Sequence, residues 1–163
     1  MTEKEIKFTE IQLLLEKNNL SIKTIDASRP WGGFFVIEEI DAIKFIDHFF
    51  PSLDKEVILA GKVSPKILLV EPNKKLSWQY HHRRAEVWKL IEGSAGIARS
   101  ETDEEKDWAQ LIINETIQLR QGERHRLIGL EEWGVVAEIW MHTDPHNLSD
   151  ENDIIRIQDD FGR

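Results

Sequence analysis

Leu76–Gly93, LSWQYHHRRAEVWKLIEG, is the stretch on which the reading of this chain turns. It sets two adjacent histidines, two arginines and a glutamate in a segment whose other residues favour extended structure. Side chains alternate along a strand, so an extended Trp78–His82 puts Gln79 and His81 on one face, Tyr80 and His82 on the other. The chain then bends through Arg83–Ala85, and Glu86 opens the apolar run Val87–Ile91. A short hairpin returns Glu86 to the side of Gln79 and His81, gathering an amide oxygen, an imidazole and a carboxylate. His125, at the end of the turn-like stretch Gln121–His125, offers a fourth donor. Nitrogen and oxygen donors of this kind suit one divalent metal with a position left for water or substrate. Zinc is the first candidate, with iron, manganese, nickel or cobalt as the others. The competing reading is a solvated loop, where histidines beside arginines are common.

Composition narrows the class. At 163 residues the chain is expected to form one domain with a full core. A net charge of −9 argues against a general binder of nucleic acid or anionic membrane, while leaving room for a local basic pocket. Cysteine is absent, which removes disulfides and thiolate ligands and fits a reducing compartment. The charged start MTEKEIKFTE lacks a signal-peptide core, and no apolar run reaches the roughly 20 residues of a membrane span. The expected location is cytoplasmic.

Outward from the central stretch, the elements are expected as follows. Thr2–Asn19 reads as a helix with Thr2 and Glu5 as a capping box and Ile6, Ile11, Leu14 and Leu15 near one face. Ser21–Ile25 and Phe34–Ile37 read as strands around the turn Arg29–Gly33. Asp41–Phe50 reads as a helix with Asp41 as N-cap and Pro51 as its stop. Strands follow at Lys66–Glu71 and Leu76–His81, then through Ala95–Arg99, Trp108–Ile113, Thr116–Leu119, His125–Ile128 and Gly134–Met141. The acidic run Glu101–Asp107 reads as a solvated hairpin tip, and His142 and His146 as parts of a turn. Many short strands divided by glycine turns indicate an all-β sandwich or barrel, and a double-sheet jelly roll is the expected fold.

The pattern Gln79-x-His81-x4-Glu86, Gly93, then Gly122-x-x-His125 resembles the two cupin motifs, with glutamine in place of the first histidine. QYHHRRAEVWKLIEGSA resembles more particularly the cupin domain of type II mannose-6-phosphate isomerases. Arg29-Pro30-Trp31-Gly32, Gly122–Leu127 and the terminal Asp153–Arg163 extend the likeness in the same order over residues 29–163. This resemblance implies a cupin jelly roll over 29–163, with residues 1–28 as a helix-and-strand extension packing on it, and a homodimer. It implies metal ligands at Gln79, His81, Glu86 and His125, and aldose–ketose isomerisation of mannose 6-phosphate to fructose 6-phosphate. The partner is then a small phosphorylated sugar. Arg84 and Arg126 stand where the family also has arginine and are assigned to its phosphate, since the guanidinium fork suits phosphate oxygens. Glu138, on a late strand, is the candidate for proton transfer. Val87 and Arg120 depart from the family pattern, and His142–Asp150 is longer than its counterpart. A heptose phosphate isomerase and a non-catalytic metal- or carbohydrate-binding cupin are the alternatives. A metal-dependent dioxygenase is a third, against which Gln79 weighs.

Overall fold

A computed structural model describes residues Met1–Arg163. It contains helices α1 (Glu3–Lys17), α2 (Ala42–Phe49) and α3 (Lys55–Ile58). The strands are β1 (Ile22–Asp26), β2 (Gly32–Ile37), β3 (Val63–Val70), β4 (Trp78–Tyr80), β5 (Arg84–Glu92), β6 (Ala95–Ser100), β7 (Ala109–Gln110), β8 (Thr116–Leu119), β9 (Arg124–Gly129), β10 (Gly134–His142) and β11 (Ile155–Gln158). They form two antiparallel sheets, one ordered β1-β2-β3-β10-β5-β8 and the other β11-β4-β9-β6-β7. This is the cupin jelly roll, with α1 at its N-terminus.

Two apolar layers hold it together. Between the sheets lie Trp88 and Leu90 of β5, Leu68 and Val70 of β3, Val136 of β10 and Leu127 of β9. On the outer face of the six-stranded sheet, Val87, Ile67, Leu69, Val135, Ala137 and Ile139 pack under α1 and α2. Strands β3, β5 and β10 are thus buried on both faces, which explains why they read as nearly unbroken apolar runs. Phe35 and Phe45 are fully buried in the outer layer.

The helix α1 carries the expected Thr2–Glu5 capping box. Of the expected face, Ile11 and Leu15 are buried, with Phe8 beside them, while Ile6 and Leu14 are 42% and 36% exposed. Asp41 stands at the N-cap of α2 without capping it, because its carboxylate accepts instead from the Ser21 backbone N–H at 2.8 Å. The expected strand Trp108–Ile113 shrinks to the two residues of β7, and Leu76–His81 to the three of β4. Gly93 turns β5 into β6 at φ +76°, and a Cβ there would lie 1.8 Å from the Trp133 carbonyl oxygen. That turn sets the β5/β6 crossover between the sheets.

Candidate metal centre

Strand alternation and register bring the donors together. In the antiparallel pairing of β4 with β9, Gln79 stands directly opposite His125. His81 follows β4 by one residue, and Glu86 is the third residue of β5, facing inward with Trp88. The donor atoms of His81, Glu86 and His125 lie within 4.8 Å of one another, and all three residues are buried. Gln79 lines the same cavity, its Oε1 accepting from Ser77 Oγ at 2.8 Å with one lone pair to spare.

The histidine tautomers follow from their carbonyl partners. His81 Nδ1–H donates to the Asp153 carbonyl oxygen at 2.7 Å, and His125 Nδ1–H donates to that of Glu123 at 2.9 Å. A carbonyl only accepts, so both Nε2 atoms are left with lone pairs turned inward. They stand 3.0 Å and 3.8 Å from Glu86 Oε1. His125 Nε2 is buried and has no hydrogen-bond partner. Arg84 meets His81 Nε2 at 3.2 Å and Glu86 Oε1 at 3.1 Å, but nothing answers the His125 lone pair beside that carboxylate. Backbone carbonyls orienting the far ring nitrogens are also the usual support for metal-binding histidines. The donor set therefore fits a divalent metal bound by His81, Glu86, His125 and Gln79.

Electrostatics agree with that fit. Burial would push the Glu86 carboxyl up, but His81, when its Nε2 carries a proton, and Arg84 outweigh it and hold the group well below the usual carboxylate range; a cation in the cluster takes the place of that proton. Burial, only partly offset by the Glu86 charge, drives His125 down to about 4, which keeps Nε2 free as a donor at neutral pH. Glu138, on β10, faces the same interior. Burial and the adjacent negative charge of Glu86 push its carboxyl well up. Its two oxygens accept from the indoles of Trp88 and Trp140, each at 2.8 Å.

The two arginines assigned to phosphate are placed differently. Arg84 lines the cavity, stacked 3.6 Å over the Trp140 ring. Its donors are engaged by Glu86 Oε1 at 3.1 Å, His81 Nε2 at 3.2 Å, Ser149 Oγ at 2.9 Å and the Asp150 carbonyl at 3.1 Å. It knits the donor cluster to the segment 149–153. Arg126 is outside the cavity altogether. Its buried guanidinium spans the Leu76 carbonyl, Glu105 and Gln158. The expected phosphate contact fails there because the acidic tip, read as merely solvated, folds back to supply Glu105. Arg126→Met is accordingly expected to cost about 3 kcal/mol of stability in denaturant unfolding. The substrate KM should not move; a raised KM at unchanged stability would contradict this placement.

Other residues line the cavity that the sequence reading left in the core, in a turn or without a role. Lys66 is 3% exposed, its ammonium 4.0 Å and 4.3 Å from the Phe34 and Trp140 ring centroids and paired with Glu151 at 2.7 Å. Arg29, Arg156 and Arg163 line the cavity too. Arg29 and Arg163 are paired with Asp26 and Asp159, whereas Arg156 Nε is buried without a partner. Burial, then the charge of Arg163, lowers Arg156 from its ordinary value. His82 is exposed. His142 and His146 do not converge: His142 Nδ1 accepts from the Ser149 N–H and Nε2 meets Ser64 Oγ, while His146 is exposed. His48 is also exposed, edge-on to Phe49.

The fold and the donor set together define a cupin with an interior metal-type centre. The chain belongs to the family described as Mannose-6-phosphate isomerase C-terminal, whose model matches residues 49–159. It is 27% identical over 135 residues to the xanthan biosynthesis protein XanB of Xanthomonas campestris, covering 83% of this chain and 23% of that protein. It is likewise 27% identical to a mannose-1-phosphate guanylyltransferase of Escherichia coli, covering 83% of this chain and 22% of the enzyme. The chain thus spans under a quarter of the length of these relatives. Vicilin from Solanum lycopersicum shares the fold, with a TM-score of 0.54 at 16% identity over 81% of this chain and 35% of vicilin. No helix is long and apolar enough to cross a membrane.

Proposed function

We propose that this chain is a metal-dependent aldose–ketose isomerase of a phosphorylated sugar, with mannose 6-phosphate and fructose 6-phosphate as the first pair to test. One observation carries the reading: His81 and Glu86, whose donor atoms cluster with that of His125, share a single cavity with Arg29, Lys66, Arg156 and Arg163. That pairing is what a sugar with a carbonyl at one end and a phosphate at the other would need. Family membership supports the same substrate class.

A divalent metal, when bound, would act as a Lewis acid toward the carbonyl and adjacent hydroxyl oxygens of the sugar. The chain's own residues divide the remaining work. His81, His125, Glu86 and Gln79 would hold the metal, the histidines fixed in tautomer by the Asp153 and Glu123 carbonyls. Arg156, whose Nε lacks a partner, together with Arg29 and Arg163 receives the phosphate. Glu138 is the buried carboxyl of the cavity outside the donor set, and we assign it to moving the proton between neighbouring carbons.

Access follows from the segment 149–154, a strap that contributes Glu151 and Ile154 to the lining of the cavity. The cavity holds about 60 Å³ of water-accessible space, room for a few waters and not for a hexose phosphate. Glu151, with a half-exposed side chain, closes the mouth through Lys66. An entering phosphate competes with the Glu151 carboxylate for that ammonium, so binding and displacement of the strap are one event.

The test is a coupled assay on mannose 6-phosphate with metal-loaded protein, run beside Arg156→Met and Glu138→Gln. Arg156→Met is expected to raise KM by about tenfold or more, and Glu138→Gln to lower kcat by about a hundredfold, both with metal content unchanged. Bound metal without turnover on mannose 6-phosphate, or on a heptose phosphate tried next, would leave a non-catalytic binding cupin.

A further inference from the structure

Lys89 follows the inward-facing Trp88 on β5 and shares with Val87 the opposite, helix-covered side of the strand, where it is 8% exposed. Alternation requires this, since Glu86, Trp88 and Leu90 take the interior. Its ammonium makes no hydrogen bond and no ion pair. The nearest compensation is the Phe50 ring, with its centroid 5.3 Å away. The side chain lines an open groove of about 530 Å³ between α1, the end of α2 and β5. Leu14, Phe49, Pro51 and Ile91 give that groove apolar walls. The carboxylate at its rim, Glu92, is already taken by Lys7 at 2.8 Å. The sheet itself separates this groove from the metal cavity, and nothing in the isomerase reading uses Lys89.

We propose that the groove binds a small monoanionic carboxylate with an apolar tail, the carboxylate on the Lys89 ammonium and the tail along Leu14, Phe49 and Ile91. The Lys89 ammonium is partly desolvated and has no counter-ion, and a bound carboxylate offsets that cost. The charge of the ligand follows from its surroundings. One unpaired cation answers one negative charge, and the nearby Glu92 opposes a dianion such as phosphate. The apolar walls favour a tail over a bare ion, as Leu14, Phe49, Pro51 and Ile91 offer contact area beside the polar His48, Glu92 and Asn114 that complete the lining. Desolvation alone lowers the Lys89 pKa, and a carboxylate at the amine would reverse that direction.

The experiment is titration of the full chain with sodium hexanoate, followed calorimetrically and by the NMR signals of the Lys89 side chain. Hexanol serves as the neutral probe and inorganic phosphate as the dianionic one. Expected are one saturable hexanoate site, a perturbed Lys89 signal, and binding of hexanol and phosphate weaker by about tenfold or more. Lys89→Met, which keeps the length of the side chain and removes the charge, is expected to weaken hexanoate by the same factor. Unchanged hexanoate affinity in Lys89→Met, equal affinity for hexanol, or a Lys89 signal unmoved at about 10 mM hexanoate would each overturn the site. Should Lys89→Met fail to fold, the wild-type NMR titration still decides. Metal content plays no part in these readouts, so the outcome is separable from that of the isomerase assay.

Discussion

His125→Ala is expected to weaken divalent-metal binding by more than about a hundredfold, leaving the purified protein with almost none. The argument is geometric. His125 Nε2 is buried without a hydrogen-bond partner, its ring oriented by the Glu123 carbonyl, and it shares a 4.8 Å cluster with His81 and Glu86. Changes to residues that only orient a ligand already cost ten- to a hundredfold in affinity, so removal of a ligand costs at least that. His81→Ala should do the same. It would also free the Asp153 carbonyl, which accepts from His81 Nδ1–H. His82→Ala, one residue on and exposed, should leave metal content untouched. Metal analysis after dialysis, beside a far-UV spectrum to show that the jelly roll persists, reads all three. Equal metal in wild type and both buried variants would remove the centre from this cavity. His125→Phe keeps a ring against Trp88, whose centroid lies 5.4 Å away, and removes the donor, which separates packing from ligation.

Asp153→Ala is expected to be the most destabilising single change outside the apolar layers, at about 3 kcal/mol or more. The side chain accepts from the backbone N–H groups of His82 and Arg83 at 2.9 and 3.0 Å and from Ser149 Oγ at 2.6 Å. It ties the C-terminal segment to the β4–β5 bend, and its own carbonyl orients His81. Alanine leaves two N–H groups and a hydroxyl unanswered in a site where Asp153 is 3% exposed. Burial by itself would raise its pKa; the hydrogen bonds from Ser149, His82 and Arg83 outweigh that and hold it at about 2. The sign follows: the folded state keeps the group ionised below the pH at which the unfolded chain takes up its proton. The contribution is therefore full above the unfolded value near 4 and is lost as the pH falls toward 2. Urea unfolding at neutral pH should show the whole difference between wild type and variant, and the gap should narrow between about pH 4 and pH 2. A loss under about 1 kcal/mol at neutral pH would show that the strap is not pinned there.

Much of the donor set was legible because strand geometry is local. Period-two alternation alone put Gln79 with His81 and turned His82 outward, and the bend at Arg83–Ala85 returned Glu86 to the first face. The arginines show the opposite case. Arg126 and Arg156 look alike in sequence, each a basic residue beside a family motif. Their roles parted only when the acidic tip came back to pair Glu105 with Arg126, while Arg156 Nε was buried without a partner. Lys66 and Lys89 were invisible for another reason. Strands β3 and β5 are covered on both faces, so their alternation is masked by apolar residues, and a single lysine in such a run gives no sign of which layer it enters.

By itself, then, the amino-acid order determined the all-β architecture, the α1 cap and the inward face of the Gln79–Glu86 hairpin, because each depends on neighbours within a few residues. The tertiary structure alone decided that Gln79 stands opposite His125, that Asp153 sets the His81 tautomer, and which cations face the cavity and which serve as struts. The first two contacts join residues 46 and 72 apart, and the Lys66–Glu151 pair residues 85 apart. Nothing in a strand's own pattern names the strand it will pair with; register and pairing come from how both sheets close over one shared core.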